Sequence, residues 1–223
     1  MTGFQGNEGS LYVDKKMSTS EEFLDFWRTF FPQLSEADVQ GIDRLYPDPS
    51  TGENEVYKET RQERGVGDMY KRIEASYAHY AYVEPVRQTS WHASKEVPVY
   101  LYHWALRRDG VDGAKHGNNM LFEVRDPKIC KSRESMNQMS GVLHAYITSF
   151  ICTGSLYALH DKYSDRPDWK AYRRDDAKVM VFGKDNDEFV GGTNIGAPAA
   201  MVDDESARRE SEFWWSKVEL SQQ

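Results

Sequence analysis

The sequence predicts an α/β fold, on three observations. Two apolar runs of strand length, residues 97–106 and 178–183, are rich in Val, Tyr, Phe and Trp, side chains that suit a pleated, half-buried surface. Segments of helical periodicity lie before, between and after them, the longest over residues 132–154. Strands that alternate with long helices along one chain build a sheet covered by helices.

Residues 1–13 read as a strand end and a glycine-rich loop. Gly3, Gly6 and Gly9 bring the backbone close to a neighbour and hold Glu8 in a tight bend. Ser18-Thr19-Ser20-Glu21 supplies a hydroxyl cap and a carboxylate for the first turn of a helix. Phe23, Phe26, Trp27, Phe30 and Phe31 follow at helical spacing, and Pro32 ends the run. Ser35-Glu36-Ala37-Asp38 starts a second helix carrying Val39, Ile42 and Leu45, closed by Tyr46-Pro47-Asp48-Pro49, with a loop over 48–56. Residues 67–95 are mostly helical, with Met69, Ile73, Ser76, Tyr77, Tyr80 and Val83 along one side. A break is expected before Pro85, which opens a further helix from a tolerated first-turn position. After the strand at 97–106 comes a loop, 107–113. Leu121-Phe122-Glu123-Val124 is a short apolar segment ended by Asp126-Pro127. The helix over 132–154 carries Met136, Met139, Val142, Leu143, Tyr146, Phe150 and Ile151, with Gly154 as its C-cap. A polar loop over 155–176, the strand at 178–183, a glycine-bearing turn at 186–194 and an amphipathic helix over 203–219 complete the chain. Phe213, Trp214 and Trp215 form the apolar side of that last helix.

The 223 residues suffice for one domain or a large part of one, and 13 Tyr, 10 Phe and 6 Trp can fill its core. A formal charge of −8 argues against nucleic acid and anionic membrane surfaces as partners. No apolar run approaches the roughly 20 residues that span a bilayer. Residues 1–8 show no basic n-region or apolar h-region. Cys130 and Cys152 have neither metal-ligand spacing nor the number of a disulfide scaffold, so no metal or cofactor is expected.

The stretch that draws chemistry is Lys115-His116-Gly117-Asn118-Asn119. A histidine on a loop past the end of a buried strand is placed for proton transfer, since its unperturbed pKa lies near neutrality. Standing alone it is a weak motif, and a loop histidine without a role is the commoner case. Context comes from the chain order. Gly3-Phe4-Gln5-Gly6-Asn7-Glu8-Gly9-Ser10-Leu11-Tyr12 resembles the segment of type-B carboxylesterases, the cholinesterase and fungal lipase family, that carries the catalytic acid. Val83-Glu84-Pro85 resembles the family's apolar-Cys-Pro site, and Val97-Pro98-Val99-Tyr100-Leu101-Tyr102 its last catalytic-side strand. Lys115-His116-Gly117 resembles its catalytic histidine loop and Phe150-Ile151-Cys152-Thr153-Gly154 the end of its long helix. Pro167-Asp168-Trp169-Lys170-Ala171-Tyr172 resembles its tryptophan-proline-tyrosine turn and Glu212-Phe213-Trp214-Trp215 its terminal helix.

The resemblance implies an incomplete α/β-hydrolase fold, holding the C-terminal strands and helices and lacking the nucleophile-elbow half. Residues 1–223 would be the C-terminal part of a carboxylesterase type B domain acting on a small-molecule or lipid carboxylic ester. Glu8 would orient the imidazole and His116 would be the general base of a Ser-Glu-His triad. The nucleophile elbow needs Gly-x-Ser-x-Gly, and no serine in this sequence has glycine at both −2 and +2. No Gly-Gly-rich oxyanion loop is present either, so the chain alone is expected to be inactive. The family's acidic residue three positions after the histidine is Asn119 here, and its Gly-Asp-Pro-Asn after the long helix is Gly154-Ser155-Leu156-Tyr157. The two cysteines of a family disulfide correspond to Glu84 and Ser211, which implies that these two are neighbours and leans to an intracellular site. The alternative is a non-catalytic cholinesterase-like relative used for binding, or a truncated inactive paralogue; retention of both Glu8 and His116 favours the hydrolase.

Overall fold

The computed structural model describes residues 1–52, 55–106, 110–159, 163–186, 194–204 and 208–220. Its strands are β1 (Thr2–Gln5), β2 (Leu101–Trp104), β3 (Lys178–Phe182) and β4 (Ala200–Asp203). Its helices are α1 (Ser20–Phe30), α2 (Glu36–Leu45), α3 (Tyr70–Ala78), α4 (Glu84–Ala93), α5 (Met120–Glu123), α6 (Pro127–Cys130), α7 (Glu134–Thr153) and α8 (Arg208–Trp215). The chain forms two compact units: Met1–Gly6 with Thr89–Asp204, and Asn7–Gln88 with Glu205–Gln223.

The first unit is built on a mixed sheet in the order β1-β2-β3-β4. β1 and β2 are parallel, as are β2 and β3, while β4 runs antiparallel to β3. The expected strand at 97–106 shortens to β2, because Pro98 has no N–H to give a ladder and Val99 instead accepts from the Tyr172 amide at 2.7 Å. Trp104, Met180 and Phe182 pack with Phe122, Leu143, Tyr146 and Trp169 in one core. Trp169 is fixed from both ends: its ring is buried edge-on against Tyr146, and its Nε1 donates to the Leu101 carbonyl at 3.1 Å. α7 follows the expected periodicity, and Gly154 closes it at φ 73°, donating to the Phe150 carbonyl at 2.8 Å. The apolar segment at 121–124 falls largely in a turn of helix, α5. β4 has no counterpart in the sequence expectation, which ran helix from 203. Residues 187–193 of the expected turn, 107–109 of the expected loop and 205–207 of the expected last helix lie outside the described residues.

The second unit is helical. Thr19 and Glu22 make a reciprocal capping box on α1, and Ser35 and Asp38 another on α2. Phe23, Trp27, Ile42, Tyr46, Ile73 and Trp214 form its core. Arg72 is fully buried there. Its guanidinium lies 3.8 Å over the Phe23 ring and donates to the Tyr46 carbonyl, Ser20 Oγ and Asp43 Oδ1. The break expected before Pro85 does not occur. α3 runs into α4 through a π turn, His79–Val83, in which the Glu84 amide donates to the His79 carbonyl. The wider turn relieves the clash that proline makes with the preceding carbonyls while the helix continues. α8 packs against this segment, with Trp215 Nε1 donating to the Glu84 carbonyl at 3.1 Å. The described residues thus form part of an α/β fold, with the sheet in one unit and a helical cluster in the other.

Candidate active site

Each candidate residue follows the C-terminal end of a parallel strand. β1 ends at Gln5 and Glu8 comes three positions later; β2 ends at Trp104 and His116 comes twelve positions later. Gln5 and Trp104 are directly paired in the ladder. Glu8 belongs to the second unit and His116 to the first.

On the first unit, His116 is exposed at the crest of a tight loop. The loop is closed from inside by the Asn118 amide, whose Nδ2 donates to the Gly113 carbonyl at 3.1 Å, and by the Asn118 N–H to the Lys115 carbonyl at 3.0 Å. Gly117 takes φ 80°, which a β-carbon disfavours. Asn119 then bolts the loop to the sheet. Its Oδ1 accepts from Gln5 Nε2 on β1, while its Nδ2 donates to Tyr102 Oη on β2 at 3.1 Å and to Glu123 Oε1 on α5. The position where the family resemblance leads one to expect an acid therefore holds a buried amide with three partners, and an amide serves that task because it both donates and accepts. A second histidine, His103 on β2, stacks on Phe4 with ring centroids 5.0 Å apart.

On the second unit, Glu8 opens a 3-10 turn, Glu8–Leu11. It is 3% exposed, so it is not a solvated loop carboxylate. The turn is set down on α3. Asn7 Nδ2 donates to Glu74 Oε2 at 3.0 Å, and Tyr70 Oη donates to the Ser10 carbonyl at 3.4 Å. Gly9 is required by contact: a β-carbon there would lie 2.2 Å from the Glu74 carbonyl oxygen. Beyond the turn, Tyr12 stacks between Tyr77 and Tyr82 at 5.7 Å from each. Burial, then a hydrogen bond with Tyr12, raises the Tyr82 pKa above its ordinary value. Leu11, Tyr12 and Phe30 leave large apolar surfaces exposed beside these rings.

Sequence reasoning missed the buried charged cluster that includes Glu74, the residue on which the Asn7–Gly9 turn is set. Glu59, Arg61 and Glu74 are all buried. Arg61 Nε and its backbone N–H both donate to Glu59 Oε1 at 2.7 Å, and its NH2 lies 3.9 Å from Glu74 Oε2. The guanidinium also sits 5.0 Å over the Tyr70 ring. Burial works to lower the Arg61 pKa, but Glu59 and Glu74 outweigh it and the net displacement is upward. In sequence these residues look like an ordinary solvated loop and helix face; only the glycine spacing at 3, 6 and 9 signals that something packs closely there.

Among the described residues no group of His, Cys, Asp and Glu side chains is arranged to hold a metal, and no helix is long and apolar enough to cross a membrane. Solved structures share this fold. Aspergillus niger EstA superimposes with a TM-score of 0.75 at 16% identity, over 98% of this chain and 39% of EstA. A PNB esterase does so with a TM-score of 0.63 at 14% identity, over 95% of this chain and 37% of the other. The sequence matches the carboxylesterase family over residues 1–214, and the chain belongs to that family. It is 25% identical over 223 residues to secreted lipase 4 of Gibberella zeae, which covers 98% of this chain and 36% of the lipase. The chain thus spans little more than a third of the length of these relatives.

Proposed function

We propose that residues 1–223 are the C-terminal part of a type-B carboxylesterase domain that hydrolyses a carboxylic ester by acyl transfer, with His116 as general base and Glu8 as its orienting acid. The observation that carries this reading is the environment of Glu8. A carboxylate held almost wholly out of solvent on a sterically fixed turn suits an acid that must keep one orientation and stabilise a positive charge. The nucleophile is a serine outside these 223 residues, since none here stands in a Gly-x-Ser-x-Gly elbow.

In this reaction His116 takes the serine proton as Oγ bonds to the ester carbonyl carbon, and Glu8 stabilises the imidazolium. The imidazolium then gives that proton to the departing alkoxide as the ester C–O bond breaks. Water attacks the acyl-serine in the second half, again losing its proton to His116, and the proton returns to serine as the carboxylic acid leaves.

The test is the histidine itself. In the 223-residue protein, the 15N spectrum of the His116 ring should change its tautomer balance when Glu8 is replaced by Gln, because the acceptor that orients the imidazole is lost. An unchanged His116 ring spectrum would remove Glu8 from the role. The isolated chain should also give no serine adduct with an active-site-directed phosphonate, whereas stoichiometric labelling would show a nucleophile within these residues. The missing serine elbow also favours a second reading, a binding relative without catalysis, and that reading predicts no coupling between Glu8 and His116.

A further inference from the structure

We infer that Glu74 is a positioning residue for Glu8, gripping the turn on both sides of it, with Arg61 as the counter-ion that lets two carboxylates share the site. The inference rests on the reading of Glu8 as the orienting acid, and it concerns residues to which that reading assigns nothing.

The grip has two parts. Before Glu8, the Asn7 side chain is bonded to the Glu74 carboxylate at 3.0 Å. After Glu8, the Gly9 backbone lies so close to the Glu74 main chain that an added β-carbon would stand 2.2 Å from its carbonyl oxygen and 3.0 Å from its carbonyl carbon. One residue of α3 thus touches the two neighbours of Glu8, one through its side chain and one through its backbone. A helix is a rigid mount, and sites built on helices keep their geometry better than sites on loops alone. Glu8, itself in a one-turn 3-10 segment, obtains that rigidity from α3.

Electrostatics explains why Arg61 accompanies the arrangement. Glu8, Glu59 and Glu74 are each 2–3% exposed, and like charges in a buried site push each other towards protonation. Arg61, itself 3% exposed, pairs with Glu59 and stands 3.9 Å from Glu74. It places a positive charge 3.9 Å from the Glu74 oxygen that accepts from Asn7. Tyr82 on the π turn also feels Glu8.

The experiment uses the 223-residue chain with 13C-labelled Glu carboxyls and two substitutions. Glu74→Gln keeps a carbonyl oxygen for Asn7 and removes one buried anion, so the Glu8 titration midpoint should fall by about one pH unit. Asn7→Ala cuts only the side-chain link, so the amides of Ser10 and Tyr12, which donate within the turn, should exchange about tenfold faster. A residue that merely fills space would leave the Glu8 midpoint where it was in a folded Glu74→Gln protein, and that result overturns the proposal. Should Glu74→Gln not fold, unchanged exchange in Asn7→Ala overturns it instead. Both readouts are independent of ester turnover. A shifted Glu8 midpoint with an unaltered His116 response to Glu8→Gln would keep the positioning and reject the triad.

Discussion

His79 makes the stability of this chain depend on pH with a sign opposite to that of most histidine pairs. Its Nδ1 lies 2.9 Å from Tyr46 Oη, and Trp214 Nε1 donates to the same hydroxyl at 2.9 Å. Tyr46 is fully buried and its pKa is raised well above the ordinary value, first by burial, so its O–H is the donor and His79 Nδ1 the acceptor. Protonation would place a second hydrogen in that bond. Burial first, and the nearby positive charge of Arg87 second, hold the His79 pKa down to about 3 against an ordinary 6.5. The folded pKa is depressed, so the unfolded state binds the proton and the folded state refuses it. Stability is therefore full above pH 6.5 and is lost as pH falls, at about 1.4 kcal/mol per unit. Between pH 7 and pH 5 the loss attributable to His79 is about 2 kcal/mol. His79→Gln retains an acceptor for Tyr46 and has no proton to gain. Urea unfolding followed by tryptophan fluorescence at pH 7, 6 and 5 should show the wild type losing about 2 kcal/mol more than the variant over that range. Parallel pH slopes would refute the argument, because the carboxylates titrate alike in both proteins.

Four further outcomes follow from individual contacts. Glu84→Ala removes the 3.0 Å partner of Arg87 while both are buried, and should cost about 3–5 kcal/mol in a thermal or urea melt. For the same reason an oxidised Glu84→Cys, Ser211→Cys pair should be no more stable than the wild type in the same melt, since a disulfide contributes about 2–4 kcal/mol. Gly9→Ala should cost about 1–3 kcal/mol, because its β-carbon must displace the backbone of α3 rather than a flexible side-chain tip. Trp169→Phe leaves the Leu101 carbonyl without its indole donor and should cost about 1–3 kcal/mol, measurable by denaturant titration.

The legible parts of this fold were those specified locally. α1, α2 and α7 each carry their own cap and their own 3.6-residue periodicity, and each formed close to its expected bounds. The elements that were not legible depend on distant partners. β4 is four residues, Ala200–Asp203, with a weak apolar pattern; pairing with β3 makes it a strand. The π turn before Pro85 reads as a break because proline forbids an ordinary helix, and nothing local says that a wider turn can carry the helix through. The site divides in the same way. Glu8 and His116 stand as candidates from glycine spacing and motif order. Glu59, Arg61 and Glu74 were not, because a buried ion cluster and a solvated charged face have the same composition, and burial is decided by what packs on top.

The order in which the chain enters its two units has a consequence during synthesis. β1 pairs with β2 from Thr2 to Leu101, 99 residues apart, a stretch that a ribosome adds in roughly 5–20 s. The sheet is finished only by β4 and the helical core only by Trp214 of α8, whose ring meets Trp27 at 5.0 Å. Neither unit can therefore close until its last strand or helix has cleared the ribosome exit tunnel. Until β2 follows, β1 offers an unpaired edge of the kind that templates aggregation. Losing the last fifteen or so residues would leave the helical core open, and losing some ten more would leave β3 without its neighbour. For this chain, a folding chaperone is needed most in the interval between translating β1 and translating α8.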